Sequence, residues 1–409
     1  MEVLFLLLMP ILQLGESGYV AVATLSALIV VVRFRRQVMA GAARAPWVAF
    51  LPLFMLASLA SSSGTDLVQS VLRTGREALV LLLLIWTVHG AGLAPAVSSS
   101  PKALVRTAAV LMVGIFAITA VQFVMFRQGI YFGIPLEYYN NQTALVPTEE
   151  ALRFQVPRPM ATFSEPSYLG IVAISLMVVA SKLERHLIAR TVIFVSGILS
   201  GILCQAASFI LFAAMLFLVG LAEGGRARAK LAAMLILPYV LLAIVLFAQD
   251  FAPIQRILSG NATDDFSFFV RVFGPFEALA GYITHYPFGL PANEVPAALE
   301  PFIAATDIPP ESFLSNSITN MLFQYGIGGA VLIAVLLWAP RTYLLRAYML
   351  AAMLQSGGIL GLDKLALVGF TICMAHAFQP LSRRRGAVAR TNVQVRGTIT
   401  PRTEADGVL

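Results

Sequence analysis

The sequence has 409 residues, of which 58% are hydrophobic and 12% are charged, and its formal net charge is +7. A soluble domain carries about a quarter charged residues, so this chain lacks the polar side chains that a water-facing surface requires. These values exclude a soluble enzyme and predict an integral membrane protein. The apolar residues occur in runs of roughly 20, and in lipid such runs are helical because each backbone N–H and C=O needs an internal partner.

The apolar runs predict an all-α, polytopic protein with about 12 transmembrane helices. Residues 1–381 form a single predicted transmembrane domain, and the polar, basic residues 382–409 form a predicted disordered tail. Cys204 and Cys373 lie inside apolar runs and predict neither a disulfide nor a metal site, and the sequence predicts no cofactor. In chain order, the predicted spans are 2–14, 18–32, 45–61, 77–94, 104–126, 164–180, 188–203, 206–221, 231–248, 313–338, 347–360 and 365–379.

Basic residues predict the orientation of these spans. Most of the 28 Lys and Arg residues lie in alternate connections and in the tail, all on one side of the predicted bundle. By the positive-inside rule this side is cytoplasmic and holds both termini. Because topology accounts for the basic excess, the net charge does not indicate nucleic-acid binding.

The opposite, outer side holds two long predicted loops, about 127–163 and 249–312, and long loops without a helical pattern are usually functional. The first loop ends at Glu165, which Pro166 places at the start of the next helix. Two interpretations of Glu165 stay open. It is either a cap that interacts with the helix dipole or a functional acid at membrane depth, with Arg153 and Arg158 nearby.

The second loop carries Arg256, Arg271, His285 and Asn293. Arg271 lies among aromatic residues, where an arginine also serves to reach the membrane interface, and His285 alone is also typical of a packing or surface histidine. Arginine suits phosphate because its planar guanidinium makes bidentate hydrogen bonds and stays protonated. Arginines and a carboxylate at the outer mouth of a bundle therefore predict a site for an anionic amphiphile, such as a lipid-linked phosphate or pyrophosphate.

Three stretches, in this order, resemble motifs of the O-antigen polymerase and ligase family of bacterial envelope polysaccharide enzymes. They cover roughly residues 150–335 and depart from the family at Ala161, where the family has glycine, and at Ser315, where ligases have histidine. The stretches are Arg158-Pro-Met-Ala-Thr-Phe-Ser-Glu165-Pro-Ser, then Ser267-Phe-Phe-Val-Arg271 with His285-Tyr-Pro-Phe-Gly-Leu-Pro-Ala-Asn293, and Ser315-Asn316-Ser-Ile-Thr-Asn-Met-Leu-Phe-Gln324-Tyr-Gly326-Ile-Gly328.

The resemblance implies a glycosyltransferase-C-like fold in the bacterial inner membrane and a metal-independent Wzy-type polymerase. Such an enzyme transfers a glycan on undecaprenyl pyrophosphate onto a lipid-linked repeat unit at the periplasmic face. Arg158 and Arg271 would bind the donor pyrophosphate, and Glu165 would accept a proton. The candidate substrate-binding residues are Arg153, Tyr168, Arg256, His285, Asn293, Glu311, Ser315 and Asn316.

Two other functions stay open at this stage. The first is a ligase that moves finished glycan to an acceptor, although Ser315 in place of the ligase histidine argues against it. The second is a non-enzymatic transporter of lipid-linked glycan, but the chain shows no internal repeat of the kind that transporters have. For a polymerase, the expected partners are the undecaprenyl-pyrophosphate-linked oligosaccharide, the lipid bilayer, a chain-length regulator and a flippase.

Overall fold

A computed structural model describes residues 1–14, 22–62, 67–94, 101–134, 158–183, 186–224, 274–303, 309–355 and 358–378. Every regular element among these residues is helical, which confirms the predicted all-α class. The predicted span at 231–248 and the predicted tail at 382–409 lie outside the described residues.

The helices are numbered here in chain order along the described residues. Short 3₁₀ turns extend or join several of them, for example Met9–Ile11 after α1 and Pro310–Leu314 before α12. The α-helices are α1 (Glu2–Leu8), α2 (Val22–Arg33), α3 (Arg35–Arg44), α4 (Pro52–Leu56), α5 (Leu67–Ala91), α6 (Pro101–Arg127), α7 (Pro166–Ala180), α8 (Leu187–Leu203), α9 (Ala207–Gly224), α10 (Gly274–His285), α11 (Val295–Leu299), α12 (Ser317–Trp338), α13 (Tyr343–Leu354) and α14 (Leu362–Ala377).

Two of these helices, Pro101–Arg127 and Ser317–Trp338, are long and apolar enough to cross a membrane. A third candidate combines Arg35–Arg44 with Pro46–Ser61, which meet at a bend of 88°. The remaining apolar helices are shorter than a full span, so the number of about 12 spans stays a prediction. The shorter ones are Glu2–Ile11, Val22–Arg33, Pro166–Ala180, Leu187–Leu203, Ser208–Glu223 and Tyr343–Leu354.

Two elements differ from the expected boundaries for clear reasons. The apolar run at 45–61 is divided into 3₁₀ and α segments with Pro46 and Pro52 at their starts, because proline removes a backbone donor and is tolerated only in a first helical turn. Conversely, α5 begins at Leu67, well before the apolar run predicted to start at residue 77. This earlier start places Arg73 and Arg76 on a helix instead of in a connection.

Helix α14 forms the centre of the bundle and packs against α2, α5 and α7. Every residue from Lys364 to His376 is buried. A helix that is buried on all sides must be apolar all round, and α7, of which nearly every residue is buried, follows the same rule. A second, smaller apolar cluster joins α10 and α11 to the start of α12 through Tyr282, Val295 and Phe323.

Helix α12 is interrupted at Gly326, whose φ of 54° and ψ of −132° are not helical. The N–H of Ile327 donates to the Pro287 carbonyl at 2.9 Å, and the Phe323 carbonyl accepts from the N–H of Leu290 at 3.3 Å. A continuous helix would pair Ile327 with Phe323, so the turn at 286–291 supplies the partners that the interruption removes. The second and third family-like stretches are therefore in direct backbone contact.

The interruption predicts that Gly326→Ala is strongly destabilising. A Cβ at this position would overlap the Pro287 carbonyl, and alanine disfavours a positive φ. We expect the free energy of unfolding to fall by about 3 kcal/mol or more, measured by thermal unfolding of the detergent-purified protein. The matched control is Gly114→Ala on α6, where a Cβ meets no atom within 4 Å and the change should stay within about 1 kcal/mol. Similar stabilities for the two variants would contradict the described interruption.

Candidate functional site

A cavity of about 590 Å³ opens among six helix ends. Its wall is formed by the end of the α1 segment and by the starts of α2, α5, α7, α12 and α14. The other ends of these helices lie near basic side chains, for example Arg33 at the end of α2 and Arg341 after α12. The charged and polar residues on the wall are Gln13, Thr24, Arg73, Arg76, Glu77, Glu165, Tyr168, Ser317, Asn320, Gln324, Tyr325 and Asp363.

One side of the cavity carries two arginines on consecutive turns of α5. Arg73 and Arg76 are three residues apart and so lie on neighbouring positions of one helix face. The Nε of Arg73 donates to Glu77 Oε1 at 3.1 Å, and the hydroxyl of Tyr325 on α12 donates to Glu77 Oε2 at 2.5 Å. Glu77 is buried, whereas both arginine side chains are exposed, so the carboxylate anchors Arg73 and this side of the cavity wall carries a net positive charge.

The other side carries two carboxylates, Glu165 and Asp363, at the starts of α7 and α14. Glu165 occupies the N-cap position of α7, but its side chain makes no capping hydrogen bond to that helix, so capping alone does not explain it. Asp363 Oδ2 accepts a hydrogen bond of 2.9 Å from the hydroxyl of Tyr168. Tyr168 is itself buried, with its ring between the cavity and Lys364 of α14.

Two glutamines fix the segment at 158–165 that leads to Glu165. The Gln122 side chain accepts hydrogen bonds from the N–H of Met160 at 3.0 Å and of Ala161 at 2.7 Å, and donates to the Ala161 carbonyl at 2.7 Å. Gln13 accepts from both the N–H and the hydroxyl of Ser164, at 3.0 and 2.9 Å. Ala161 has a φ of +52°, a region that favours glycine, which explains why the family pattern has glycine there.

Four of the predicted site residues lie on or next to the cavity. Glu165 and Tyr168 are on its wall. Asn316 is the N-cap of α12, where its Oδ1 accepts from the N–H of Thr319 at 2.9 Å, and the hydroxyl of Ser315 is buried without a hydrogen-bond partner among the described residues. Asn316 therefore has a structural role, because it caps α12 and the first turns of that helix line the cavity.

The other predicted residues are not on the wall. Asn293 accepts a hydrogen bond of 3.0 Å from Ser70 and so ties the second loop to α5 one turn before Arg73. His285 is exposed, lies 3.0 Å from the Gly281 carbonyl through Nδ1 and contacts the ring of Phe302. Arg158 and Glu311 are also exposed. Arg153, Arg256 and Arg271 lie outside the described residues.

The sequence interpretation missed Arg73, Arg76 and Asp363, although a signal was present. Arg73 and Arg76 fall in a connection that the positive-inside rule assigns to the outer side, where basic residues are scarce. Asp363 and Lys364 form an adjacent charged pair at the start of an apolar run. An ionisable group at a predicted membrane boundary is a functional candidate, and this criterion would have selected Arg73, Arg76 and Asp363, together with Lys364.

A bundle of apolar helices with a cavity lined by charged residues is typical of a membrane protein. More specifically, the chain belongs to the WcaD colanic acid polymerase family, whose model matches residues 1–388. It is therefore a Wzy-type polysaccharide polymerase, which confirms the family resemblance and favours polymerisation over ligation or transport. No curated protein and no solved structure matched the chain.

The hydrogen bonds that the Gln122 side chain makes with the backbone of Met160 and Ala161 predict opposite effects for two substitutions. Gln122→Ala removes three buried hydrogen bonds and should lower the free energy of unfolding by about 2–4 kcal/mol. Ala161→Gly relieves the positive φ and should leave that free energy unchanged or raise it by up to about 1 kcal/mol. Thermal unfolding in detergent measures both. Gln128→Ala, at an exposed position just after the end of α6, is the control and should change the free energy of unfolding little. A loss for Ala161→Gly as large as that for Gln122→Ala would refute this interpretation.

Proposed function

We propose that the protein polymerises a bacterial surface polysaccharide or exopolysaccharide at the periplasmic face of the inner membrane. The growing glycan on undecaprenyl pyrophosphate is transferred onto the terminal sugar of a lipid-linked repeat unit. The observation that carries this proposal is the cavity, in which Arg73 and Arg76 face Glu165 and Asp363 at one end of an apolar bundle. Such a site suits a substrate with an anionic head, a polar glycan and a lipid tail.

The direction of the helices supports a periplasmic position for the site. Helices α2 and α12 both start at the cavity and run toward basic residues, Arg33 and Arg341. Since basic residues accumulate on the cytoplasmic side, the cavity end is the periplasmic end in this proposal. The proposal also includes about 12 spans, cytoplasmic termini and a glycosyltransferase-C-like fold.

In the proposed reaction, Arg73 and Arg76 bind the donor pyrophosphate. Guanidinium groups on one helix face can each make charge-assisted, bidentate hydrogen bonds to phosphate oxygens. Negative charge on the pyrophosphate increases as the glycosidic bond breaks, so fixed cations stabilise the transition state more than the bound substrate. The proposal thereby assigns this charge stabilisation to arginines and describes a metal-independent reaction.

The carboxylate side of the cavity receives the acceptor sugar. The bond between the anomeric carbon of the donor glycan and a pyrophosphate oxygen breaks, and the leaving group departs with the electron pair. A new bond forms between that carbon and the acceptor hydroxyl oxygen, whose proton passes to Glu165 or to the departing pyrophosphate. In this proposal Asp363, whose Oδ2 accepts a hydrogen bond from Tyr168, also accepts one from an acceptor hydroxyl.

The residues selected from the sequence alone keep their proposed roles, except that Arg73 and Arg76 become the first candidates for binding the donor pyrophosphate. Arg158 and Arg271 are a second candidate pair for the pyrophosphate. Arg153, Arg256, His285, Asn293, Glu311, Ser315 and Asn316 remain candidates for substrate contacts. Association with a chain-length regulator and with a flippase that supplies lipid-linked repeats is also part of the proposal.

The double variant Arg73→Ala/Arg76→Ala tests the assignment of the cationic wall. In a strain that lacks the native gene, wild type should restore long polymer, whereas the double variant should accumulate single lipid-linked repeat units, with polymer yield reduced about 10²-fold or more. Electrophoresis of extracted glycans measures chain length. Arg127→Ala, an exposed arginine at the end of α6 that is not on the cavity wall, is the matched control and should retain long polymer. Long polymer from the double variant would refute the assignment.

Arg271→Ala tests the competing assignment in the same strain. If Arg271 binds the donor pyrophosphate, long-chain product disappears and single repeats remain. If the cavity arginines act alone, Arg271→Ala shortens the polymer little while Arg73→Ala/Arg76→Ala abolishes it. In the deletion strain, polymer of normal length that remains attached to the lipid carrier would indicate a ligase. Unchanged glycans in that strain would refute the proposed function.

A further inference from the structure

Two amide side chains of α12, Asn320 and Gln324, line the cavity beside its charged residues. They are four residues apart, so they are neighbours on one face of the helix. The Nε2 of Gln324 donates a hydrogen bond of 2.5 Å to Asn320 Oδ1. These two residues are called the amide pair below.

The amide pair keeps hydrogen-bonding capacity that the protein does not use. An amide side chain has two N–H donors and one carbonyl acceptor, and the bond within the pair occupies one donor and one acceptor. Among the residues that the structure describes, Gln324 Oε1 and Asn320 Nδ2 make no hydrogen bond. Gln324 is only 4% exposed, and a buried polar group without a partner is costly. The pair is therefore suited to bind polar groups of a molecule that fills the cavity.

On one side, the amide pair adjoins the carboxylate wall. The hydroxyl of Ser317, in the first turn of α12, accepts a hydrogen bond of 2.7 Å from the N–H of Ile359. Ile359 lies in the short segment that leads to Asp363 at the start of α14 and that also lines the cavity. A Cβ on Gly358, in the same segment, would lie 4.0 Å from Asn320 Nδ2. The start of α12 is thus joined to the acceptor side of the cavity.

On the other side, the amide pair adjoins the arginine wall. Tyr325 follows Gln324 directly, and its hydroxyl donates to Glu77 Oε2 at 2.5 Å. Glu77 in turn accepts from Arg73 Nε at 3.1 Å. The pair, which carries no formal charge, therefore lies on the stretch of α12 that runs from the carboxylate wall to the arginine wall.

We propose that the amide pair binds hydroxyl groups of the sugar that is attached to the donor pyrophosphate, and so selects that sugar. This inference rests on the proposed function, in which this sugar lies between the two walls. Its anomeric carbon is bonded to the pyrophosphate on the arginine side and is attacked from the acceptor side. Sugar hydroxyls both donate and accept hydrogen bonds, which matches the free N–H groups and the free carbonyl oxygen of the pair.

The test uses membranes that contain wild type or Asn320→Ala/Gln324→Ala, supplied with lipid-linked repeat units, and measures the initial rate of formation of the two-repeat product. Two sets of analogues are compared with the native repeat unit. In the first set, one hydroxyl is replaced by hydrogen on the sugar attached to pyrophosphate. In the second set, one hydroxyl other than the reacting one is replaced by hydrogen on the terminal sugar at the opposite end.

The selectivity is the ratio of the rate with the native repeat unit to the rate with an analogue. Wild type should be about tenfold or more slower with at least one analogue of the first set, because that analogue leaves a buried amide group unpaired. The double variant should be about tenfold slower than wild type with the native repeat unit, and its selectivity against the same analogue should fall to about threefold or less. The selectivity against the second set should be the same in wild type and variant.

Controls separate substrate binding from folding. Gln128→Ala removes an exposed amide just after α6, away from the cavity wall, and should keep the wild-type rate and selectivity. Rates are expressed per amount of protein in the membrane, measured by immunoblotting. Should the double variant be too poorly folded to assay, Asn320→Ala alone, which shortens a half-buried side chain, should lower the same selectivity. A purely structural role would lower the protein abundance and leave the selectivity unchanged.

Each outcome decides the matter. Selectivity that is lost against the first set alone supports the proposal. Unchanged selectivity in the variants would overturn it, as would a wild-type enzyme that does not distinguish any analogue of the first set from the native repeat unit. A loss confined to the second set would overturn the assignment to the donor sugar. If wild-type membranes form no product from native repeat units, the proposed function itself fails, which differs from an active enzyme whose selectivity does not depend on the amide pair.

Discussion

Where α12 is interrupted at Gly326, two backbone hydrogen bonds pass from the helix to the turn at 286–291 instead of remaining within the helix. This exchange is possible only with glycine at both contact points, since Gly289 and Gly326 have positive φ and their backbones are too close for a Cβ. In an apolar medium the unpaired groups would be costly, so turn and helix must form together. The position of Tyr325, the residue before the interruption, depends on this contact.

The electrostatic arrangement of the cavity follows from that position. Tyr325 donates to Glu77, Glu77 accepts from Arg73, and Arg73 lies one turn before Arg76 on the cavity wall. A buried carboxylate requires donors, and two donors from different helices restrict it to one geometry. The backbone contact between α12 and the turn at 286–291 therefore helps to determine where the guanidinium groups at the start of α5 lie.

Much of the helical content could be predicted from the sequence. Apolar runs bounded by charged residues or proline are helical in lipid, because their backbone N–H and C=O groups must find hydrogen-bond partners within the run. The proline after Glu165 marked the start of a helix correctly. The cavity was less predictable. Arg73 and Arg76 precede the apolar run of α5, and hydropathy cannot show that a helix continues into a charged segment. The contact between residues 122 and 161 is likewise long-range and leaves no periodic signal, so the role of Gln122 required coordinates.

The departures from the family-like pattern now have physical explanations that bear on mechanism. Ala161 adopts the left-handed conformation of the expected glycine, and its two hydrogen bonds to Gln122 hold it there against the steric cost. Ser315, at the position of the ligase histidine, has a buried hydroxyl with no partner among the described residues and cannot replace an imidazole base. In the proposed reaction, the proton of the acceptor hydroxyl therefore passes to a carboxylate or to the leaving group. Because Glu77 is hydrogen-bonded to Arg73 and Tyr325, the proposal assigns the acceptor hydroxyl to Glu165 and Asp363 and not to Glu77.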